Sequence, residues 1–135
     1  MELKDIKSVY FLGAGGIGMS AIARYLKNNG HSVYGYDRTR TQLCIQLEEE
    51  GMNITYEDNP AHLPENIEMV IYTPAIPSDN NILQTVLHKG LKIEKRAKVI
   101  KDMIKTKFEP GNIVGGGFNY IVEIEHLLKD LPDRL

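Results

Sequence analysis

The chain has 135 residues, 42% of them hydrophobic and 25% charged, and its 16 Lys and Arg against 18 Asp and Glu leave a net charge of −2. Such a chain reads as one soluble domain that buries roughly two thirds of its unfolded surface, so it needs no disulfide or metal staple to fold. The lone Cys44 excludes an intramolecular disulfide and a four-cysteine zinc site, and the charge balance gives no broad footprint for nucleic acid or an anionic membrane.

Ser8 to Ala23 carries no charge and follows Lys4 and Lys7, which imitates a signal peptide. The run is too short to span a bilayer and is broken by Gly13, Gly15, Gly16 and Gly18, so a cytoplasmic location is expected. Ser8 to Leu12 instead reads as a strand buried on both faces. Ile17 to Asn29 turns helical, with Ala21, Ile22, Tyr25 and Leu26 facing inward and Gly30 ending the helix. A strand at Ser32 to Tyr36 follows, then a helix from Thr41 to Glu50 closed by Gly51, and a short strand near Asn53 to Tyr56. Glu68 to Tyr72 supplies a fourth strand, and the next helix carries Ile82, Leu83, Val86 and Leu87 before Gly90. Leu91 to Glu94 reads as a fifth strand, and Val99, Ile100, Met103 and Ile104 mark a last helix. Strands alternating with helices of 10 to 15 residues imply a Rossmann-like doubly wound α/β sheet of about five parallel strands, with helices on both faces.

The rhythm breaks at Glu109-Pro110-Gly111, which sets a compact unit at residues 1–108. Residues 109–135 read as a glycine-rich turn plus an amphipathic tail helix, with Ile121, Ile124, Leu127, Leu128 and Leu131 at helical spacing. That face is expected to dock on the chain's own sheet, with self-association through it as the alternative.

The chemistry concentrates in Gly13-Ala14-Gly15-Gly16-Ile17-Gly18, a G-x-G-x-x-G between the first strand and the first helix. Gly13 permits the tight turn, Gly15 lets a diphosphate approach the backbone, and Gly18 lets the helix pack close to the strand. The free N–H groups of the first helical turn would then bind phosphate. Asp37 ends the second strand 19 residues after Gly18, where a carboxylate can accept both hydroxyls of a ribose; capping of the following turn is its alternative role. Arg38 and Arg40 are expected to be solvated. Thr73-Pro74-Ala75-Ile76-Pro77 follows the fourth strand, across the crevice from the glycine turn, with two prolines stiffening what a ligand would meet. These residues favour a ligand with a diphosphate and a ribose, and NAD, FAD and UDP-sugars all meet that description.

Residues 9 to 23 together with Gly35-Tyr36-Asp37, Val70 to Ile76 and Lys95-Arg96-Ala97 resemble the amino-terminal domain of the L-alanine-adding branch of the Mur ligase family, over about residues 6–107. The murein-peptide recycling ligases are the nearest competitor. The resemblance implies a domain that binds the UDP part of UDP-N-acetylmuramate for peptidoglycan synthesis. By position, Gly13, Ala14, Gly15, Gly16, Ile17 and Gly18 would face the diphosphate and Asp37 the ribose. Thr73, Pro74, Ala75 and Ile76 would face the nucleotide side, and Arg96 matches the arginine opening the family's last helix. Tyr56-Glu57 departs from the family's Gly-His pair, and His62 is a poor substitute for that histidine.

The family's ligation uses ATP and Mg in a central domain. Gly111 and Gly116 have the G-x-x-x-x-G spacing, but Gly117 and Phe118 stand where Lys and Ser or Thr are required. No resident cofactor is therefore expected, and the reading is substrate binding alone, with the isolated chain inactive in ligation. A nicotinamide oxidoreductase and a nucleotide-sensing module are the rival classes. Hydride transfer would need a substrate domain that residues 109–135 are too short to build. Scattered His31, His62, His88 and His126 give no metal-ligand pair, and Cys44 is expected to be packed. The tail is not expected to match the segment that succeeds this domain in the family.

Overall fold

A computed structural model describes residues 5–106 of the chain. Five strands, β1 (Ser8–Leu12), β2 (Ser32–Tyr36), β3 (Asn53–Thr55), β4 (Met69–Tyr72) and β5 (Ile93–Lys95), form one parallel sheet in the order β3-β2-β1-β4-β5. Helices α1 (Ile17–Asn28), α2 (Gln42–Glu49), α3 (Asn81–Lys89) and α4 (Arg96–Thr106) connect or follow the strands. The expected α/β class, strand direction and helices on both faces are all present. The proposed tail helix and its docking lie outside the described residues.

Alternation along each strand divides the core. Val9 and Phe11 of β1, Val33 of β2, and Met69 and Ile71 of β4 face α1, α2 and α4. Tyr10 and Leu12, Tyr36, and Val70 point to the opposite face, where α3 packs Ile82, Leu83 and Val86. Burial of Met19, Ile22 and Leu26 contributes roughly 1.5–3 kcal/mol per side chain, which outweighs the ~1 kcal/mol that Gly18 costs a helix. Leu87 stands 52% exposed, at the edge of the stripe that the other three apolar residues of α3 bury.

Two expectations shift. The helices run 8 to 12 residues, and no α-helix joins β3 to β4; only the single 3-10 turn Pro60–His62 lies there, with Leu63 and Ile67 filling the sheet face beside α3. Strand β5 begins at Ile93 rather than Leu91, because pairing with β4 starts opposite Val70. The segment that imitates a signal peptide forms β1 and α1, at the centre of the fold. No helix among the described residues is long and apolar enough to cross a membrane.

Candidate functional site

The strand order reverses its direction of growth at β1: β2 and β3 lie to one side, β4 and β5 to the other. Loops leaving the carboxyl ends of β1 and β4 therefore diverge and open a crevice there. Gly13 to Gly16 leave β1, Thr73 to Pro77 leave β4, and Arg96 follows directly on β5.

The glycine turn is held from below and from one side. Gly13 and Ala14 donate their N–H groups to the Tyr36 carbonyl at 2.8 and 3.0 Å, and Gly16 donates to Gly13 at 3.3 Å. Gly13 has φ +99°, a left-handed conformation open to glycine, and a Cβ there would lie 2.6 Å from Thr73 Cγ2. Gly15 lies against a floor that sequence spacing does not announce. A Cβ on it would stand 2.6 Å from Cys44 Sγ, 2.9 Å from Thr41 Oγ1 and 2.9 Å from Asp37 Oδ2. Thr41 is legible as a helix cap, and its hydroxyl does accept the Cys44 N–H at 3.2 Å. Nothing in the spacing of Cys44 reveals that its buried thiol supports the turn.

Asp37 sits where the ribose reading requires it but is already engaged. Oδ2 accepts the Gly15 N–H at 2.8 Å, and Oδ1 accepts the Thr39 N–H at 3.1 Å. Of the two roles weighed for it, the bond to Thr39 shows the one in the turn that follows β2. The carboxylate ties the glycine turn to the end of β2 and shapes the turn after it. The same bond removes the Gly15 N–H from the groups available to phosphate.

What lacks acceptors among the described residues is the first turn of α1, where Ile17 is exposed and Gly18 and Met19 are buried. Its N-cap is Gly16, without a side chain to bond it, and the turn contains no acidic residue. Ser20 N–H makes the first helical bond, to Gly16, while the N–H groups of Ile17, Gly18 and Met19 meet no acceptor among the described residues. These groups carry the positive end of the helix dipole. Ile17 is 67% exposed at this corner, an unusual position for a large aliphatic side chain.

Across the crevice, Thr73 is buried and its hydroxyl accepts the Ala75 N–H at 2.9 Å; Ile76 N–H returns to the Thr73 carbonyl at 3.1 Å. The Thr73 methyl and Ile76 pack against Gly13, so this loop and the glycine turn brace one another. Pro74 and Ala75 are exposed and Ile76 half-buried. Arg96, at the head of α4, lays its side chain against Gly18, whose added Cβ would be 3.1 Å from Arg96 Cδ and 3.3 Å from Nη1.

The flanking residues separate from this group. Arg40 pairs with Glu48 at 2.9 Å, and Tyr56 donates to the same carboxylate at 2.6 Å, so the tyrosine of the Tyr56-Glu57 pair is bonded to α2. Arg38 and His62 are exposed. Cys44 is buried, as expected. No cluster of three or more potential metal ligands exists among the described residues.

The sequence profile described as the Mur ligase family, catalytic domain, matches residues 8–108. The UDP-N-acetylmuramate–L-alanine ligase of Christiangramia forsetii is 41% identical over 79% of this chain and 25% of its own length. That of Parabacteroides distasonis is 39% identical over 98% of this chain and 30% of its own. The similarity thus continues into residues 109–135, contrary to the expectation that the tail would not match. The crystal structure of UDP-N-acetylmuramate–alanine ligase from Thermotoga maritima superposes with a TM-score of 0.72 at 31% identity, covering 76% of this chain and 24% of that one. A murein peptide ligase from Psychrobacter arcticus shares the fold, with a TM-score of 0.66 at 24% identity over 71% of this chain and 20% of that one. The chain spans between a quarter and a third of the length of these two curated relatives.

Proposed function

This chain belongs to the Mur ligase family, and from that premise we propose that its Rossmann-like domain binds the UDP part of UDP-N-acetylmuramate and presents the sugar for ATP-dependent addition of L-alanine. The observation that carries the reading is the open first turn of α1, at the switch point of the sheet, next to a turn fixed by Asp37. Three N–H groups without an acceptor among the described residues, together with a helix dipole, suit a diphosphate better than any neutral group. Gly16, exposed at the N-cap, leaves the phosphates a close approach to the main chain. The Asp37 carboxylate is a strong acceptor for ribose hydroxyls, and Thr73, Pro74, Ala75 and Ile76 wall the nucleotide side.

In this scheme the domain contributes binding and orientation. Bond formation between the muramyl carboxylate and the amino acid draws on the ATP and Mg that the family resemblance implies. Dinucleotide binding is the competing reading of the same glycine pattern, and family membership weighs against it.

Calorimetric titration of the 135-residue chain with UDP-N-acetylmuramate, UDP and NAD separates the two. Saturable binding of both UDP compounds with no heat from NAD is the expected result. Preference for NAD, or indifference to all three at millimolar concentration, contradicts the proposal.

A further inference from the structure

Arg96 is anomalous on the protein's own terms. Its Nε is shut off from solvent with no hydrogen-bond partner, and its guanidinium has no ion pair among the described residues. The nearest acids in sequence are engaged elsewhere: Glu94 and Asp102 both lie beside Lys98, at 3.6 and 3.3 Å. Burial pushes the Arg96 guanidinium below its ordinary range, and no neighbouring carboxylate offsets that effect.

Its location compounds the problem. Arg96 is the first residue of α4, where the helix dipole is positive, and its side chain runs against Gly18 in the first turn of α1, where a second dipole is positive. Neither first turn contains an acid. Two helix N-termini and a cation thus converge with no anion of the described chain between them. A partly buried charge in such company is unfavourable unless something beyond the described residues supplies the opposite sign.

Order along the site decides which part of the ligand this is. Asp37 touches one end of the glycine turn, at Gly15, and Arg96 touches the other, at Gly18. Between them the Gly15 N–H is occupied by Asp37, and the Ile17 and Gly18 N–H groups meet no acceptor among the described residues. A ligand whose ribose meets Asp37 therefore reaches Arg96 with its second phosphate. We propose that Arg96 is the determinant that distinguishes a nucleoside diphosphate from a monophosphate, holding the phosphate remote from the ribose beside the Ile17 and Gly18 amides. This rests on the nucleotide-binding reading above and adds to it a specific residue and a specific selectivity. Gly18 serves it by leaving room for the arginine.

The test compares UDP with UMP on the 135-residue chain and on Arg96→Met and Arg96→Lys, with thermal melts as a check on folding. The intact chain should bind UDP at least about tenfold more tightly than UMP. In Arg96→Met the UDP affinity should fall about 10- to 100-fold while UMP binding changes by less than about twofold; Arg96→Lys should recover part of the loss. A UDP affinity unchanged in Arg96→Met, or UDP and UMP falling together, overturns the assignment. The Arg96 side-chain Nε–H NMR signal supplies a second measurement that needs no variant, and it should move with UDP and with inorganic pyrophosphate but not with uridine. A signal that responds to pyrophosphate in a chain that ignores UDP keeps the anion site and removes the nucleotide reading. A signal that responds to neither removes the role proposed for Arg96.

Discussion

At the start of α3 the amides of Asn81, Ile82 and Leu83 are all occupied, by Asp58 Oδ2 at 2.9 Å, Asp58 Oδ1 at 3.0 Å and the Asn80 side chain at 2.9 Å. At the start of α1 the amides of Ile17, Gly18 and Met19 meet no acceptor among the described residues, and the nearest carboxylate, Asp37, is turned onto Gly15 instead. Both helices follow a strand of the same sheet and both N-termini lie at its carboxyl end. The difference is one of completion. Helix α3 is finished by its own chain and serves the fold, whereas α1 finds no such partner among the described residues and, on the function proposed above, is finished by a ligand. Capping groups worth about 1 kcal/mol each are forgone there, and the buried stripe from Met19 to Leu26 sustains the helix without them.

The largest effect should come from filling the open end. Gly15→Val places atoms within 2.6–2.9 Å of Cys44, Thr41 and Asp37, and the turn must move outward. UDP binding should drop below detection by calorimetry, with a stability loss of about 1–3 kcal/mol in urea unfolding. Next, opening the closed end should damage folding alone. Asp58→Ala strips two amides of a charged acceptor and should cost about 1–3 kcal/mol of stability while leaving UDP affinity within twofold. Were Asp58→Ala to abolish binding with little loss of stability, the division between the two helices would be wrong.

Gly18→Ala sharpens the comparison more gently. Its Cβ meets the Arg96 side chain at 3.1 Å, but a gain in helix propensity of up to ~1 kcal/mol offsets the strain. Unfolding stability should stay within about 1 kcal/mol, and UDP affinity should fall several-fold as the arginine is displaced.

The smallest effect concerns the far end of α1, where His31 follows Gly30. Burial lowers the imidazole below its ordinary value of 6.5, so the unfolded chain binds the proton more readily than the folded one. The contribution of His31 is present in full above that value and is lost as the pH falls through 6.5 toward the folded pKa. Thermal midpoints measured from pH 7.5 to 5 should therefore decline, and His31→Gln should flatten part of that decline.

The sequence made the fold legible wherever a strand ended on glycine or a helix carried apolar residues at i, i+3 and i+4. The strand Ser8–Leu12 and the inward Ala21, Ile22, Tyr25 and Leu26 appear where the pattern puts them. It misled at β5, whose start depends on pairing with Val70, and it overlooked the floor under Gly15, because Thr41 and Cys44 reach the turn through space. Asp37 stands at the end of β2, where its spacing from the glycine turn puts it. Its bond to Gly15 could not be read from spacing, since it depends on how the glycine turn folds back over β2. The same holds for Arg96, which the family resemblance marks without revealing that it rests on Gly18.

On the proposed function a diphosphate meets the amides of α1, which lack acceptors among the described residues, and not those of α3. Backbone amide NMR of the isotopically labelled chain during titration with UDP tests it directly. Large shifts are expected at Ile17, Gly18 and Met19, with the Asn81, Ile82 and Leu83 signals unmoved. Shifts centred on the α3 amides, or a saturating titration that leaves Ile17 to Met19 unchanged, would contradict it.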